Sequence, residues 1–218
     1  GYDPLATGNA STTKPDLSLY RTIFTGDIKG DDKVVMENDC DDVFENFTDN
    51  MTSSMFTMKI NGDVHISGIE LTGMSYSRGS SPAIIRMQAE EGTDWNVTID
   101  HCKFYVADKG VEMSGVGNFS VDQCEFDYIR NAAVFSDRNL HVSNSTFTYS
   151  NGVLFHGNNT EIVVENSTFV KNTSDIRAYN YEDKPSTSAK IYNNTFISCV
   201  GGANFILGDN LLASVEGN

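Results

Sequence analysis

Three features of the sequence predict an all-β chain wound as a right-handed parallel β-helix. A motif recurs about every 22 residues, apolar columns stand two residues apart within each copy, and small polar residues occupy the places where the chain must turn. The 218 residues include 21 Asn, 18 Gly, 21 Ser and 18 Thr but only 4 Pro. Few of these favour helix interiors, and Asn and Gly tolerate the left-handed backbone of tight turns. No helical apolar spacing persists over a dozen residues, whereas short runs such as Val-Thr-Ile, Leu-His-Val and Ile-Val-Val recur.

Six segments align on one large apolar anchor: Ile66-Ser-Gly-Ile-Glu-Leu71, Ile99-Asp-His-Cys-Lys-Phe104, Val121-Asp-Gln-Cys-Glu-Phe126, Val142-Ser-Asn-Ser-Thr-Phe147, Val164-Glu-Asn-Ser-Thr-Phe169 and Ile191-Tyr-Asn-Asn-Thr-Phe196. The anchors are spaced by 33, 22, 21, 22 and 27 residues, a solenoid period with insertions. Five before each anchor stands Ile or Val; seven before stand Val64, Val97, Phe119, Leu140, Ile162 and Ala189. These two columns form the inward face of a first strand.

The step from the column at minus five to the anchor is odd, yet both are apolar, so the chain bends between them. Gly68, His101, Gln123, Asn144, Asn166 and Asn193, three before the anchor, are placed to absorb the bend, and four of the six are types that accept positive φ. A second strand then carries the anchor. A third apolar pair follows at Val111 and Met113, Ala133 and Phe135, Val153 and Phe155, Ile176 and Ala178, and Ala203 and Phe205. Three short strands per rung of about 22 residues make a parallel β-helix, and the usual hand of parallel crossovers makes it right-handed. Leucine-rich horseshoes share the period but require a Leu consensus that these columns lack.

Stacking at roughly 4.8 Å per rung would pile the Phe anchors into one aromatic column and Asn144, Asn166 and Asn193 into a polar ladder away from solvent. Residues 1–60 are read as an N-terminal cap with irregular first rungs around 22–24, 34–36 and 55–60, and residues 61–218 as regular rungs of one continuous domain. The pattern still runs at 203–207, as in a piece of a longer solenoid.

Charge narrows the function classes. Fifteen Lys+Arg against 30 Asp+Glu give a net charge of −15 and a pI near 4.4, which argues against a nucleic-acid partner or docking on anionic lipid. No stretch approaches the roughly 18 apolar residues of a membrane-spanning helix.

The repeat unit, in forms such as Val-Ser-Asn-Ser-Thr-Phe and Ile-Tyr-Asn-Asn-Thr-Phe with Gly-Gly-Ala following at 201–203, resembles the right-handed parallel β-helix proteins of the pectate-lyase-like superfamily. Thr22-Ile-Phe-Thr-Gly-Asp-Ile-Lys-Gly-Asp-Asp32 is similar to the lead-in of secreted, polymorphic-outer-membrane-protein-like surface proteins of Bacteroidetes. The resemblance covers about residues 62–207 and speaks for fold more than activity, since the superfamily spans lyases, hydrolases, adhesins and tailspikes. Polygalacturonase-type motifs (Asn-Thr-Asp, Asp-Asp, Gly-His-Gly, Arg-Ile-Lys) do not appear in the helix, His156-Gly157 lacking a preceding Gly; of the chlamydial-type repeat pair Gly-Gly-Ala-Ile and Phe-x-x-Asn, Phe169-Val-Lys-Asn172 and Phe47-Thr-Asp-Asn50 match only the second half. An extracellular or cell-surface setting is what the resemblance implies.

Candidate chemistry lies on outward columns. Four before the anchor stand Ser67, Asp100, Asp122, Ser143, Glu165 and Tyr192; one before stand Glu70, Lys103, Glu125, Thr146, Thr168 and Thr195. Asp100, Asp122 and Glu125 would form an acidic patch with Lys103 in its middle and Tyr128 beside it, able to take a glycan. A polysaccharide lyase of this fold uses acidic residues to hold Ca²⁺ against a uronate and a Lys or Arg as base, roles open to Lys103, Arg130 or Arg138. The alternative is a ladder in which Glu70, Lys103 and Glu125 neutralise one another. Asp27, Asp31 and Asp32, or Asp39, Asp41 and Asp42, lack the full spacing of a calcium loop and read as solvated turns.

His65 and His141 share an outward column several rungs apart, with His101 at the bend and His156 in a later turn, so no zinc set forms. Cys102 and Cys124 share the inward column on adjacent rungs, within disulfide reach, and read as free buried thiols; the wide sequence separation of Cys40 and Cys199 leaves their pairing open. Ten Asn-x-Ser/Thr sequons start at Asn9, Asn46, Asn50, Asn96, Asn118, Asn144, Asn158, Asn166, Asn172 and Asn193, where chance gives about four. Glycosylation is one explanation; the repeat itself is the better one for Asn144, Asn166 and Asn193. A secretory leader ahead of Gly1 is expected to have been cleaved or left out, and residues 3–16 read as a polar lead-in.

The first expectation is a non-catalytic surface β-helix, adhesin-like or glycan-contacting; the alternative is a polysaccharide lyase or a glycoside hydrolase. A groove gathering two acids with a Lys or Arg and lined by Tyr105, Tyr128 or Trp95 would favour the enzyme. A flat, self-neutralised face would favour the module.

Overall fold

The computed structural model describes residues 22–31, 33–36, 42–45, 52–74, 82–89, 94–115, 117–157, 160–180, 187–197, 203–208 and 211–218. Cys40, Cys199, Asp32, Asp39, Asp41 and the sequon residues Asn9, Asn46, Asn50 and Asn158 lie outside them. The described residues form strands without a helix, wound as a parallel β-solenoid.

A first face is the seven-stranded parallel sheet of Val64–Ser67, Asn96–Asp100, Asn118–Asp122, Asn139–Ser143, Glu161–Glu165, Thr187–Tyr192 and Leu211–Glu216. A second face holds Thr22–Thr25, Ile69–Thr72, the leading halves of Lys103–Ser114 and Glu125–Ser136, then Thr146–Thr148, Thr168–Val170 and Thr195–Ile197. The third holds Phe56–Ile60, Ala83–Ala89, the trailing halves of the same two long strands, Asn151–His156, Ser174–Tyr179 and Ala203–Leu207. Thr22–Thr25 and Phe56–Ile60 are therefore parallel rung strands, as the sequence suggests. Lys33–Met36 instead pairs antiparallel with Asp42–Glu45 and is no rung.

The anchors stack in register: Leu71, Phe104, Phe126, Phe147, Phe169 and Phe196 are successive partners. The five Phe rings lie parallel, 4.7–5.0 Å apart between centroids. Opposite them the apolar columns of the first face close the core, from Val97 and Ile99 to Ala189 and Ile191. Offset-stacked rings at this spacing gain roughly 0.5–1.5 kcal/mol per pair beyond area burial.

All six expected bend positions have positive φ, from 49° at Asn144 and Asn166 to 71° at Gly68. A second bend, two residues past the anchor, has no counterpart in the sequence reading: Gly73, Val106, Tyr128, Tyr149 and Lys171 have φ of 47–80°. Left-handed backbone is costly for a β-branched or bulky residue, and here the rungs above and below enforce it.

Three inward assignments need correction. A register shift between Ile129 and Ala132 moves the pair in the Phe126 rung from Ala133 and Phe135 to Val134 and Ser136, which turns Phe135 outward. The last pair is Phe205 and Leu207, partnered with Ile176 and Ala178, while Ala203 aligns with Ser174. Asn144, Asn166 and Asn193 are exposed rather than laddered; Asn144 and Asn166 donate to the outward carboxylates of Asp122 (2.7 Å) and Glu165 (3.2 Å).

Two internal ladders run one residue beyond each bend. At the first, the N–H groups of Cys124, Ser145, Ser167 and Asn194 donate to the side-chain oxygens of Ser145, Ser167, Asn194 and Asn218, at 2.9–3.1 Å. At the second, Ile129 N–H donates to Ser150 Oγ (2.9 Å) and Ser150 N–H to Asn172 Oδ1 (2.7 Å). The left-handed turn points these amides along the solenoid axis, and small polar side chains satisfy them where burial would otherwise leave them unpaired.

Asn172 also donates from Nδ2 to the Asp175 carboxylate at 2.8 Å. Burial lifts the Asp175 carboxyl to about 6, against that hydrogen bond. The folded chain thus binds a proton between the unfolded value of 3.8 and about 6, so this group's contribution is full below pH 4 and is lost as pH rises through 6. Asp175→Asn keeps an acceptor without the charge. Its stability relative to the parent is expected to grow by up to about 3 kcal/mol from pH 4 to pH 7.5 in urea titrations; an unchanged difference would show that burial of the charge costs nothing.

Candidate functional site

The first bend is a ridge that separates the expected site residues. Asp100 and Asp122 project from the first face, whereas Lys103 and Glu125 project from the second. The acidic patch centred on Lys103 is therefore not assembled. Lys103 Nζ instead lies 3.6 Å from Glu125 and 5.5 Å over the Tyr105 ring. Glu70, Lys103, Glu125 and His101 line a small depression on the second face, in which Lys103 and Glu125 form the ion pair. Beside it, burial pushes the Asp127 carboxyl up despite the nearby Lys103 charge. Tyr128 stacks on Tyr149 at 5.2 Å. Arg130, beyond the second bend, is exposed, and its carbonyl accepts a hydrogen bond from Asn151.

On the first face the outward side chains form three registered columns. Asn96, Asn118 and Asn139 are linked by amide hydrogen bonds of 3.0 and 3.2 Å. Thr98, Ser120 and His141 form the next column, and Asp100, Asp122 and Ser143 the third. The first two columns, with Glu161 and Val163, line an open trough of about 510 Å³. This row was missed because Asn at a strand start reads as turn chemistry; its recurrence at intervals of 22 and 21 residues was the available signal.

The carboxylates in the third column are held ionised. Burial raises Asp100, but Ser67, His101 at 2.9 Å and His65 at 2.5 Å outweigh it and hold it below the ordinary range. Asp122 follows the same pattern, with Gln123, Ser143 and Asn144 at 2.7–2.8 Å. Tyr192 and His141 depress Glu165. These groups accept hydrogen bonds strongly and are poor proton donors.

A family model for the right-handed β-helix region matches residues 83–218. The chain belongs to the right-handed β-helix family. No curated protein and no solved structure matches it.

Within this β-helix, His65 and His141 share an outward column with Thr98 and Ser120 between them, as their spacing suggests. Among the described residues no three His, Cys, Asp or Glu side chains are placed to hold a metal ion. Asp27 caps a turn, its Oδ1 accepting from Gly30 N–H at 2.7 Å. Cys102 and Cys124 are free and buried. Trp95 packs against the core rather than lining the trough.

Proposed function

We propose that this β-helix is a non-catalytic secreted or cell-surface module, adhesin-like, that contacts a glycan along the first-face trough. Kinship with polymorphic-outer-membrane-protein-like surface proteins belongs to the same proposal. The carrying observation is the registered array of Asn amides and Thr and Ser hydroxyls, repeated at roughly 4.8 Å along an open trough of about 510 Å³, with the ionised carboxylates of Asp100 and Asp122 in the column beside it. Fixed donors and acceptors on a rigid sheet suit the hydroxyls of an extended neutral saccharide and need little ordering on binding. In the lyase alternative Lys103 or Arg130 would act as the base with Ca²⁺ on the acids; Lys103 lies 3.6 Å from Glu125, and the first bend sets it on a different face from Asp100 and Asp122, an arrangement that suits that role poorly.

Affinity electrophoresis in gels containing mannan, xylan or β-glucan is the test. Retardation by at least one is expected, and Ser120→Arg, which fills the trough from an outward position, should weaken it at least tenfold. The reading fails if no gel retards the chain or if the variant migrates like the parent. An unsaturated, ultraviolet-absorbing product from polygalacturonate and Ca²⁺ would install the lyase instead.

A further inference from the structure

The outward turn of Phe135 gives the third face a character unlike the rest of this acidic chain. Arg86, Glu112, Phe135, Leu154 and Arg177 form one registered outward column. Phe135, His156 and Tyr179 meet edge to face along it, at 5.4 and 5.2 Å. Two cations lean toward the Phe135 rung from opposite directions. Lys109 comes from the preceding rung, its Nζ 5.2 Å over the Phe135 ring and 2.8 Å from Glu112. Arg177 reaches back across two rungs to donate from Nη2 to the Asn131 carbonyl. Arg86 shares Glu112 at 3.1 Å. Arg86 and Lys109 thus face Glu112, while Arg177 and Lys109 act on His156 against Asp137. The local field is positive at His156, whose imidazole is lowered first by burial and then by Arg177 and Lys109, against Asp137.

We propose that this face holds a sulfate ester of a glycan chain, the oxyanion between Lys109 and Arg177 and the sugar ring against Phe135, His156 and Tyr179. Lys and Arg approaching from opposite rungs offer diverging donors. That arrangement suits a tetrahedral oxyanion better than a planar carboxylate, which is matched by the parallel fork of a single guanidinium. The aromatic edges of Phe135 and Tyr179, both partly exposed, supply apolar surface for the C–H face of a pyranose. A net charge of −15 repels polyanions at long range, so affinity for one has to arise locally. This site lies on a different face from the trough and does not rest on that reading.

The experiment is calorimetric titration of the whole chain with dextran sulfate, dextran and polygalacturonate at low and moderate salt. Dextran sulfate is expected to bind, at least tenfold more tightly than polygalacturonate, with affinity falling as salt rises; unsulfated dextran should not compete. Arg177→Gln and Lys109→Met should each weaken it at least tenfold. Lys109→Met keeps the alkyl cover on Phe135 and leaves Glu112 paired with Arg86, so its melting temperature reports whether the fold is intact. Lys171→Gln, on another edge, should bind as the parent does. Equal affinity for polygalacturonate, parent-like binding by a folded Lys109→Met, or loss of binding in Lys171→Gln would overturn the proposal.

Discussion

Phe147→Ala is expected to cost about 3–5 kcal/mol of unfolding free energy, measured by urea denaturation. The ring is fully buried and stacked on both faces, at 4.9 Å against Phe126 and 4.7 Å against Phe169. Its removal opens a cavity that neighbouring rungs, fixed by their own sheets, cannot collapse to fill. Phe196 sits in the same column but is only partly buried, so Phe196→Ala should cost less than half as much. Equal costs would show that the column is not a chain of nearest-neighbour contacts.

Asn172→Ala is the second large effect, about 3–5 kcal/mol by the same measurement, because three buried groups lose a partner. Oδ1 accepts from Ser150 N–H, while Nδ2 serves both the Phe147 carbonyl (3.2 Å) and Asp175 (2.8 Å). The loss should be greater above pH 6, where Asp175 is ionised. Asn166→Gly provides the contrast, since the exposed Asn166 sits at φ 49°, a conformation Gly adopts freely. A near-neutral Asn166→Gly beside a disruptive Asn172→Ala would separate ladder from bend. Comparable costs would contradict the division of labour seen between them.

The sequence carries much of this architecture because a solenoid repeats its instructions. The anchor column, the two first-face columns and the first bend could each be read six times over. The second bend escaped because Val106, Tyr128, Tyr149 and Lys171 are not turn-forming types; tertiary pairing alone holds their positive φ. One inward pair slipped by a residue because the shift near Ile129 inserts no marker such as Gly or Pro. The Lys103–Glu125 pair was legible as neighbours in a column, but the separation of Asp100 and Asp122 from it was not, because a bend redirects faces without changing spacing. Phe135 shows the same limit: an apolar residue at an expected core position became the centre of a surface cluster.

The two internal ladders have a direction. In every link the donating amide belongs to an earlier rung and the accepting side chain to the one that follows, 21–27 residues further along the chain. A nascent polypeptide emerging from the ribosome therefore cannot finish a bend until the next turn of the coil has been synthesised. Assembly becomes vectorial, with the newest coil always the least complete. Adding or deleting a whole coil preserves every link, whereas a partial one leaves amides buried and unanswered, so lengths of such a chain should change in whole turns.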